Sequence, residues 1–261
     1  MNYKEDIGMR EAGHSFLARL GKTKLRPGGV EATGWLLEKA NIKADSKVLE
    51  VACNMGTTMI QVAGKSGCNI VGVDMDDAAI EKAKENIRKN NLQNKLSVVK
   101  ASAFELPFED ESFDVLINEA MLTMLVGDDK DRALSEYSRV LKPGGILLTH
   151  DVFLHEDDPG RQKEVIAGLS RTINVHVEPL TLNGWKDKIE SHSFRTEQKY
   201  GKMTLLDPAG MIRDEGPSGA MKILSNAMKK ENRQMFTAMF DFFEKHSEQL
   251  GYVANFSVKV K

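Results

Sequence analysis

Residues Val48 to Thr58 read V-L-E-V-A-C-N-M-G-T-T, and Asp74 closes the next apolar run. Lys47 to Val51 is a short β-branched and aliphatic stretch, the pattern of a buried parallel strand. It breaks into a turn of small residues and then into a helix that begins near Gly56. A second strand, Asn69 to Val73, delivers Asp74 about twenty residues after the turn, the spacing of the nucleoside-binding half of a doubly wound α/β fold. A carboxylate at that strand tip can accept both hydroxyls of a ribose. Small side chains in the turn let a ligand approach the backbone closely.

A nicotinamide site would need G-x-G-x-x-G after the first strand. Of those key positions only Gly56 is glycine, which argues against a nicotinamide oxidoreductase. The stretch instead resembles the class I S-adenosylmethionine-dependent methyltransferases, in which an acidic residue precedes three small residues at alternate positions. Here these are Glu50, then Ala52, Asn54 and Gly56. Asparagine is the non-glycine residue that best tolerates a left-handed backbone. The resemblance continues through a third strand, Leu96 to Lys100, and through A-S-A-F-E-L-P-F-E-D-E-S-F-D at Ala101 to Asp114. A fourth strand at Val115 to Asn118, the turn L-K-P-G-G at Leu141 to Gly145, and a fifth strand at Ile146 to Val152 follow in order.

The resemblance implies a Rossmann-like doubly wound α/β sheet of seven strands, the last antiparallel. It adds a helical N-terminal arm (1–44), a cofactor-binding core (45–155), and a C-terminal part (156–261) with a cap insertion at about 207–249. It also implies S-adenosylmethionine as cofactor and S-adenosylhomocysteine as product. Glu50 then orders the turn and meets the cofactor's ammonium, Asp74 holds the ribose, and Met75 packs on adenine. Ser102 and Ala103 lie at the adenine edge, with Ser102 where the family usually carries Asp. Asn118 and Glu119 border the methionine moiety. Gly29 and Thr33, from a Gly-rich segment before the first strand, either approach the amino-acid end of the cofactor or form a simple interhelix turn.

Composition narrows the class. The 261 residues suit one α/β domain with insertions. The formal net charge of -2 gives no general basic field for nucleic acid. Lys22, Lys24 and Arg26 form a short basic cluster that reads as a solvated face, with anion contact the minor alternative. No apolar run approaches the roughly 18 residues of a membrane span, and no signal peptide is visible at the start, so a cytoplasmic setting is expected. The two cysteines, Cys53 and Cys68, have no metal or disulfide spacing. A homodimer is compatible with the sequence.

Helices are expected at Glu31 to Ala40, Asp76 to Asn91, Asp157 to Ser170 and Leu182 to Ser191. Strands are expected from about Arg195 to Leu205 and from Gly251 to Val260. Residues 1–20 read as a helical arm carrying Ile7, Phe16, Leu17 and Leu20, on which Tyr3 and His14 could close over a pocket. The segment 207–249, rich in Met and Phe around a Gly216-Pro217 loop, reads as a cover on the substrate side. The acceptor is expected to be a small molecule. His14, Glu119, His150, Asp151 and His155 are the candidates to deprotonate a hydroxyl or orient an amine, with His150 and Asp151 placed at the end of the fifth strand. Methionines such as Met121, Met124 and Met211 suit an adaptable apolar pocket. The alternative is a non-catalytic sensor or assembly protein that binds the cofactor, suggested by Ala52, Asn54 and Ser102.

Overall fold

The computed structural model describes residues 11–260. Tyr3 and Ile7 lie outside the described residues. Two helices, α1 (Gly13–Leu20) and α2 (Gly29–Ala40), precede an alternation of strand and helix: β1 (Lys47–Val51), α3 (Thr57–Ser66), β2 (Asn69–Asp74), α4 (Asp77–Lys89), β3 (Leu96–Lys100), β4 (Phe113–Glu119), α5 (Asp129–Val140) and β5 (Leu141–Leu154). A 3-10 turn at Leu122–Met124 links β4 to α5. The chain continues through α6 (Pro159–Ile173), a two-residue strand β6 (Leu180–Thr181), α7 (Leu182–Glu190) and β7 (Phe194–Lys202). It ends with α8 (Pro208–Ala227), α9 (Lys230–Lys245) and β8 (Leu250–Lys259).

The sheet order is β3-β2-β1-β4-β5-β8-β7, with β6 pairing off this path against β5. β8 runs antiparallel to both of its neighbours, β5 and β7, and the other strands are parallel. The order reverses at β1, where neighbouring crossovers leave on opposite faces and open a crevice at the carboxyl ends of β1 and β4. The expected seven strands are present, and β6 makes an eighth. β5 starts earlier than expected because Leu141 already pairs with Phe113, ahead of an irregularity that absorbs Pro143 and Gly144.

Both sheet faces are covered. Leu49, Val51, Leu116, Leu147 and Tyr137 belong to one core, and Val48, Ile70, Val115, Met59 and Leu36 to the other. A third apolar cluster lies away from the sheet: Phe16, Leu17 and Leu20 of α1 meet Met211, Ala220 and Ile223 of α8 and Phe236 and Met239 of α9. The arm and the cap insertion are therefore one packed unit. Gly216, with φ 73° and ψ 165°, kinks α8 ahead of Pro217, where the sequence suggested a loop.

Charge also joins arm to cap, and here the basic cluster differs from the solvated face expected. Lys22 is fully buried, with Nζ 3.4 Å from Asp214 and 3.7 Å from Glu215. Glu215 also accepts the backbone N–H groups of Thr23 and Lys24, each at 2.9 Å. Asp214 accepts the N–H of Val30 at 2.9 Å, at the start of α2. Removing one partner of a buried ion pair leaves an uncompensated charge. Asp214→Ala is thus expected to destabilise the fold by about 3–5 kcal/mol, whereas Asp110→Ala at an exposed pair should cost less than about 1 kcal/mol. Urea unfolding of both variants checks this; equal effects would count against the buried tie.

Candidate functional site

A cavity of about 440 Å³ opens at the carboxyl ends of β1 and β4. Its wall includes Glu50, Ala52, Asn54, Asp74 and Glu119, together with His14 and Arg26 from the N-terminal segment. The turn after β1 is shaped by three left-handed residues at alternate positions: Ala52 (φ 57°), Asn54 (φ 47°) and Gly56 (φ 73°). Ala52 and Asn54 thus hold a left-handed conformation that favours glycine. The turn is strapped by Cys53 N–H to the Val73 carbonyl at 3.0 Å and by Asn54 N–H to Asp74 Oδ2 at 2.8 Å. Asp74 Oδ1 takes the N–H of Asp76 at 3.0 Å, so this carboxylate both braces the turn and faces the cavity. Cys53 is buried in the turn, and that burial pushes its thiol pKa up.

Glu119 is the hub of the cavity floor. Its carboxylate accepts from the Arg26 guanidinium, from the Thr33 hydroxyl, from Thr58 at 2.8 Å and from His150 Nδ1 at 3.2 Å. Burial opposes ionisation here, but the Arg26 charge and the His150 and Thr33 hydrogen bonds outweigh it and hold the pKa well below the usual carboxylate range. His150 is fully buried, and its Nε2 accepts the Gly28 N–H at 2.9 Å. That donor assigns the remaining ring proton to Nδ1, facing Glu119. Glu119 therefore spends lone pairs on Arg26, Thr33, Thr58 and His150, while His150 donates to Glu119 and spends its one lone pair on Gly28.

Several expected site residues lie off the cavity wall. Gly29 (φ 56°) faces the cap: a Cβ there would sit 2.2 Å from Asp214 Oδ1, so its glycine serves the arm–cap tie. Thr33 is buried on Glu119. The Asn118 side chain is buried and donates to the Val51 carbonyl at 3.0 Å. Asp151 is buried and takes the Thr123 N–H and hydroxyl at 2.9 and 2.8 Å, pinning the 3-10 turn. Burial raises its pKa against those hydrogen bonds. Gly56 shapes the turn from behind, Met75 is largely exposed, and the Ser102 hydroxyl accepts the Phe104 N–H at 3.2 Å beside Ala103. His155 is exposed beyond the end of β5.

The wall also holds buried polar atoms without a partner among the described residues, those of Arg26 on a residue the motif did not single out. Arg26 spends Nη1 on Glu119 and Thr58, while its buried Nε and Nη2 have no partner among the described residues. Glu50 accepts from the Met59 backbone, yet its buried Oε2 has no partner among the described residues. Burial, then the charge of Glu119, raises its pKa to about 8. His14 Nδ1 is likewise buried without a partner among the described residues, and desolvation lowers its pKa against the pull of Asp74 and Asp76. Arg26 escapes a sequence reading because its partner lies 93 positions away.

Residues 42–238 match the family described as "Methyltransferase domain", about three quarters of the chain. The chain belongs to the class I S-adenosylmethionine-dependent methyltransferases. An uncharacterized protein of Haemophilus influenzae is 53% identical over 250 residues, covering 95% of this chain and 98% of its own length. Methyltransferase GfsG of Streptomyces halstedii is 33% identical over 129 residues, covering 49% of this chain and 45% of that protein. A sterol 24-C-methyltransferase of Debaryomyces hansenii is 33% identical over 135 residues, covering 51% and 35%. The chain thus spans less than half the length of these two methyltransferases. The methyltransferase fold recurs in a putative sarcosine dimethylglycine methyltransferase from Galdieria sulphuraria (TM-score 0.70, 18% identity, 88% and 86% covered). It recurs also in the [4+2]-cyclase SpnF (TM-score 0.73, 18% identity, 96% and 97% covered).

Two outcomes are expected at the turn. Ala52→Gly relieves a left-handed alanine and should stabilise the protein by about 1 kcal/mol; a destabilised variant would show that the methyl group earns its place by packing. Glu50 ionises near 4.5 as an unperturbed group and at about 8 in the fold. Across that window the folded state keeps a proton that the unfolded chain has shed, so stability falls as pH rises and levels off above it. Glu50→Gln should flatten this slope and exceed the parent in stability at about pH 9. Parallel pH profiles in thermal unfolding would refute the raised pKa.

Proposed function

We propose that this protein transfers a methyl group from S-adenosylmethionine to a small-molecule acceptor by in-line substitution. The observation that carries the reading is a pair of buried groups on one cavity wall with atoms unpartnered among the described residues: the Glu50 carboxyl and the free edge of the Arg26 guanidinium. Together they complement an ammonium and a carboxylate on one carbon, the amino-acid end of the cofactor. Asp74, at the tip of β2, completes the fit by accepting ribose hydroxyls. The left-handed backbone at Ala52 and Asn54 keeps the turn open to a nucleoside without glycine, which weighs against the non-catalytic alternative.

The sulfonium supplies the methyl group and departs as a neutral thioether. The protein's own residues then have four tasks. Glu50 and Arg26 orient the amino-acid end. Asp74 holds the nucleoside, so the methyl axis is fixed before reaction. Glu119, saturated by Arg26, Thr33, Thr58 and His150, keeps the Arg26 guanidinium in position. His14, with a lone pair facing no protein donor among the described residues, is the candidate to accept the acceptor's proton. The local likeness to a sterol 24-C-methyltransferase supports the acceptor class. A cytoplasmic location, a dimer, and the arm and cap acting together as a lid belong to the same reading; among the described residues no helix is long and apolar enough to cross a membrane.

Calorimetry with S-adenosylhomocysteine tests the assignment. Arg26→Met and Asp74→Ala should each weaken binding about 10- to 100-fold, from the loss of a charged hydrogen bond worth roughly 1.5–3 kcal/mol. Unchanged affinity in both would sink the site. An ammonium beside Glu50 favours its ionised form, so binding at about pH 7 should release protons, and affinity should rise from about pH 6 to pH 8. Binding heats independent of buffer ionisation enthalpy would contradict this.

A further inference from the structure

A second cavity adjoins the first and is unlike it chemically. It lies between α1, α6, α9 and the segment after β7, has a volume of about 80 Å³, and shares His14, Leu25, Ala120 and Met124 with the larger one. Its far wall is built from Leu169, Val177, Met203 and Met239, among other apolar side chains. Among the described residues no Asp, Glu, Lys or Arg lines it, and the side-chain nitrogen and oxygen atoms on its wall belong to His14 and Thr123. The Thr123 hydroxyl is already engaged: it donates to Asp151 and accepts the Val152 N–H at 3.2 Å. One polar group, His14, therefore remains available, and it stands where the cavities meet.

We infer that this apolar cavity holds the methyl acceptor, and that the acceptor is a compact uncharged molecule whose hydroxyl or thiol sits beside His14 while its hydrocarbon body fills the space between α6 and α9. The inference rests on the methyl-transfer reading and adds the acceptor's chemical class to it. A charged body would have to shed its hydration with no counter-charge in the lining, a cost of several kcal/mol. A hydrocarbon body gains from leaving water and from dispersion contacts with the methionines, whose flexible side chains let the space widen. The volume is smaller than the ~150 Å³ that accommodates benzene in an engineered cavity, so the buried part is branched and short, with larger bodies admitted as methionines move.

The step balances without a further reactant. A lone pair of the acceptor's oxygen or sulfur forms the bond to the methyl carbon. The methyl–sulfur bond breaks with its electron pair remaining on the cofactor sulfur. The acceptor's proton passes to His14 Nδ1. The α1–α8–α9 cluster behind the cavity excludes water from this junction.

Four isosteric probes test the class on the full chain, alone and saturated with S-adenosylhomocysteine: isobutanol, 2-methyl-1-propanethiol, isovalerate and isobutylammonium. By NMR titration the two neutral probes should bind with dissociation constants on the order of millimolar, and the two ions at least about tenfold more weakly. Isobutanol should also move the His14 ring resonances, whereas the hydroxyl-free 2-methylbutane should leave them nearly still. Val177→Phe, which fills the cavity, should weaken isobutanol at least about tenfold with S-adenosylhomocysteine affinity unchanged. Met239→Ala, which enlarges it, should shift preference several-fold toward cyclohexanol. The second variant keeps the test decisive if the first fails to fold. Ions that bind as well as the neutral probes, or probe affinities indifferent to the cavity variants, would overturn the inference. Probes that behave as expected on a protein that ignores S-adenosylhomocysteine would instead refute the methyl-transfer reading and leave the apolar ligand class standing.

Discussion

The Glu119 carboxylate is the point on which the site's geometry depends. It is almost wholly removed from water and takes hydrogen bonds from Arg26, Thr33, Thr58 and His150. These four residues come from the loop before α2, from α2, from α3 and from β5, so one side chain at the tip of β4 ties together the segments that surround the crevice. A buried ion pair is poor evidence for net stability, because desolvation consumes most of the Coulomb gain. What it provides here is position. The Arg26 guanidinium is held with one edge spent inward and one edge facing the cavity, and His150 is held in one tautomer by Gly28 on one side and Glu119 on the other.

This arrangement divides the polar groups of the site by what their lone pairs are doing. Glu119 and His150 are strong chemical groups that the scaffold has already engaged, and Asp151 is engaged through Oδ1 while its Oδ2 is left over. Glu50, Arg26 and His14 are groups on the cavity wall with buried atoms unpartnered among the described residues. Burial without a partner is costly, and three such groups around one space favour a polar ligand there. The adjoining space, bounded by α1, α6, α9 and the segment after β7, has the opposite character. The contrast between a charged chamber and an apolar one, with a single imidazole at their border, is the main chemical statement the fold makes.

The doubly wound core was legible in residues 45–155 because its signals are local. A β-branched run, a turn of small residues and Asp74 at the next strand tip need only short-range spacing to be read, and the left-handed turn accepted Ala52 and Asn54 as the motif required. What escaped was set by distant pairing. Lys22 and Arg26 look like surface charges until Asp214 and Glu119 are brought to them across most of the chain. Gly29 looks like a ligand-facing glycine until the cap places Asp214 against it. His150 and Asp151 sit at a strand end where catalytic groups often lie, yet Gly28 and Glu119 engage His150, and Thr123 engages one oxygen of Asp151. The Met and Phe content of 207–249 marked an apolar segment, whereas its packing on α1 was not legible, since amphipathic patterning says which face is apolar and not what covers it.

The position of β8 has a consequence for the order in which the molecule is made. β8 lies between β5 and β7, so the open edge of β5 waits for residues 250–259 before β7 can join the sheet. The apolar face of α1 waits nearly as long for α8 and α9. Synthesis therefore produces the β1–β4 half early, with an unfinished sheet edge and an uncovered helix at either flank. Residues 250–259 close the sheet from within, which makes β8 the wedge that completes the structure.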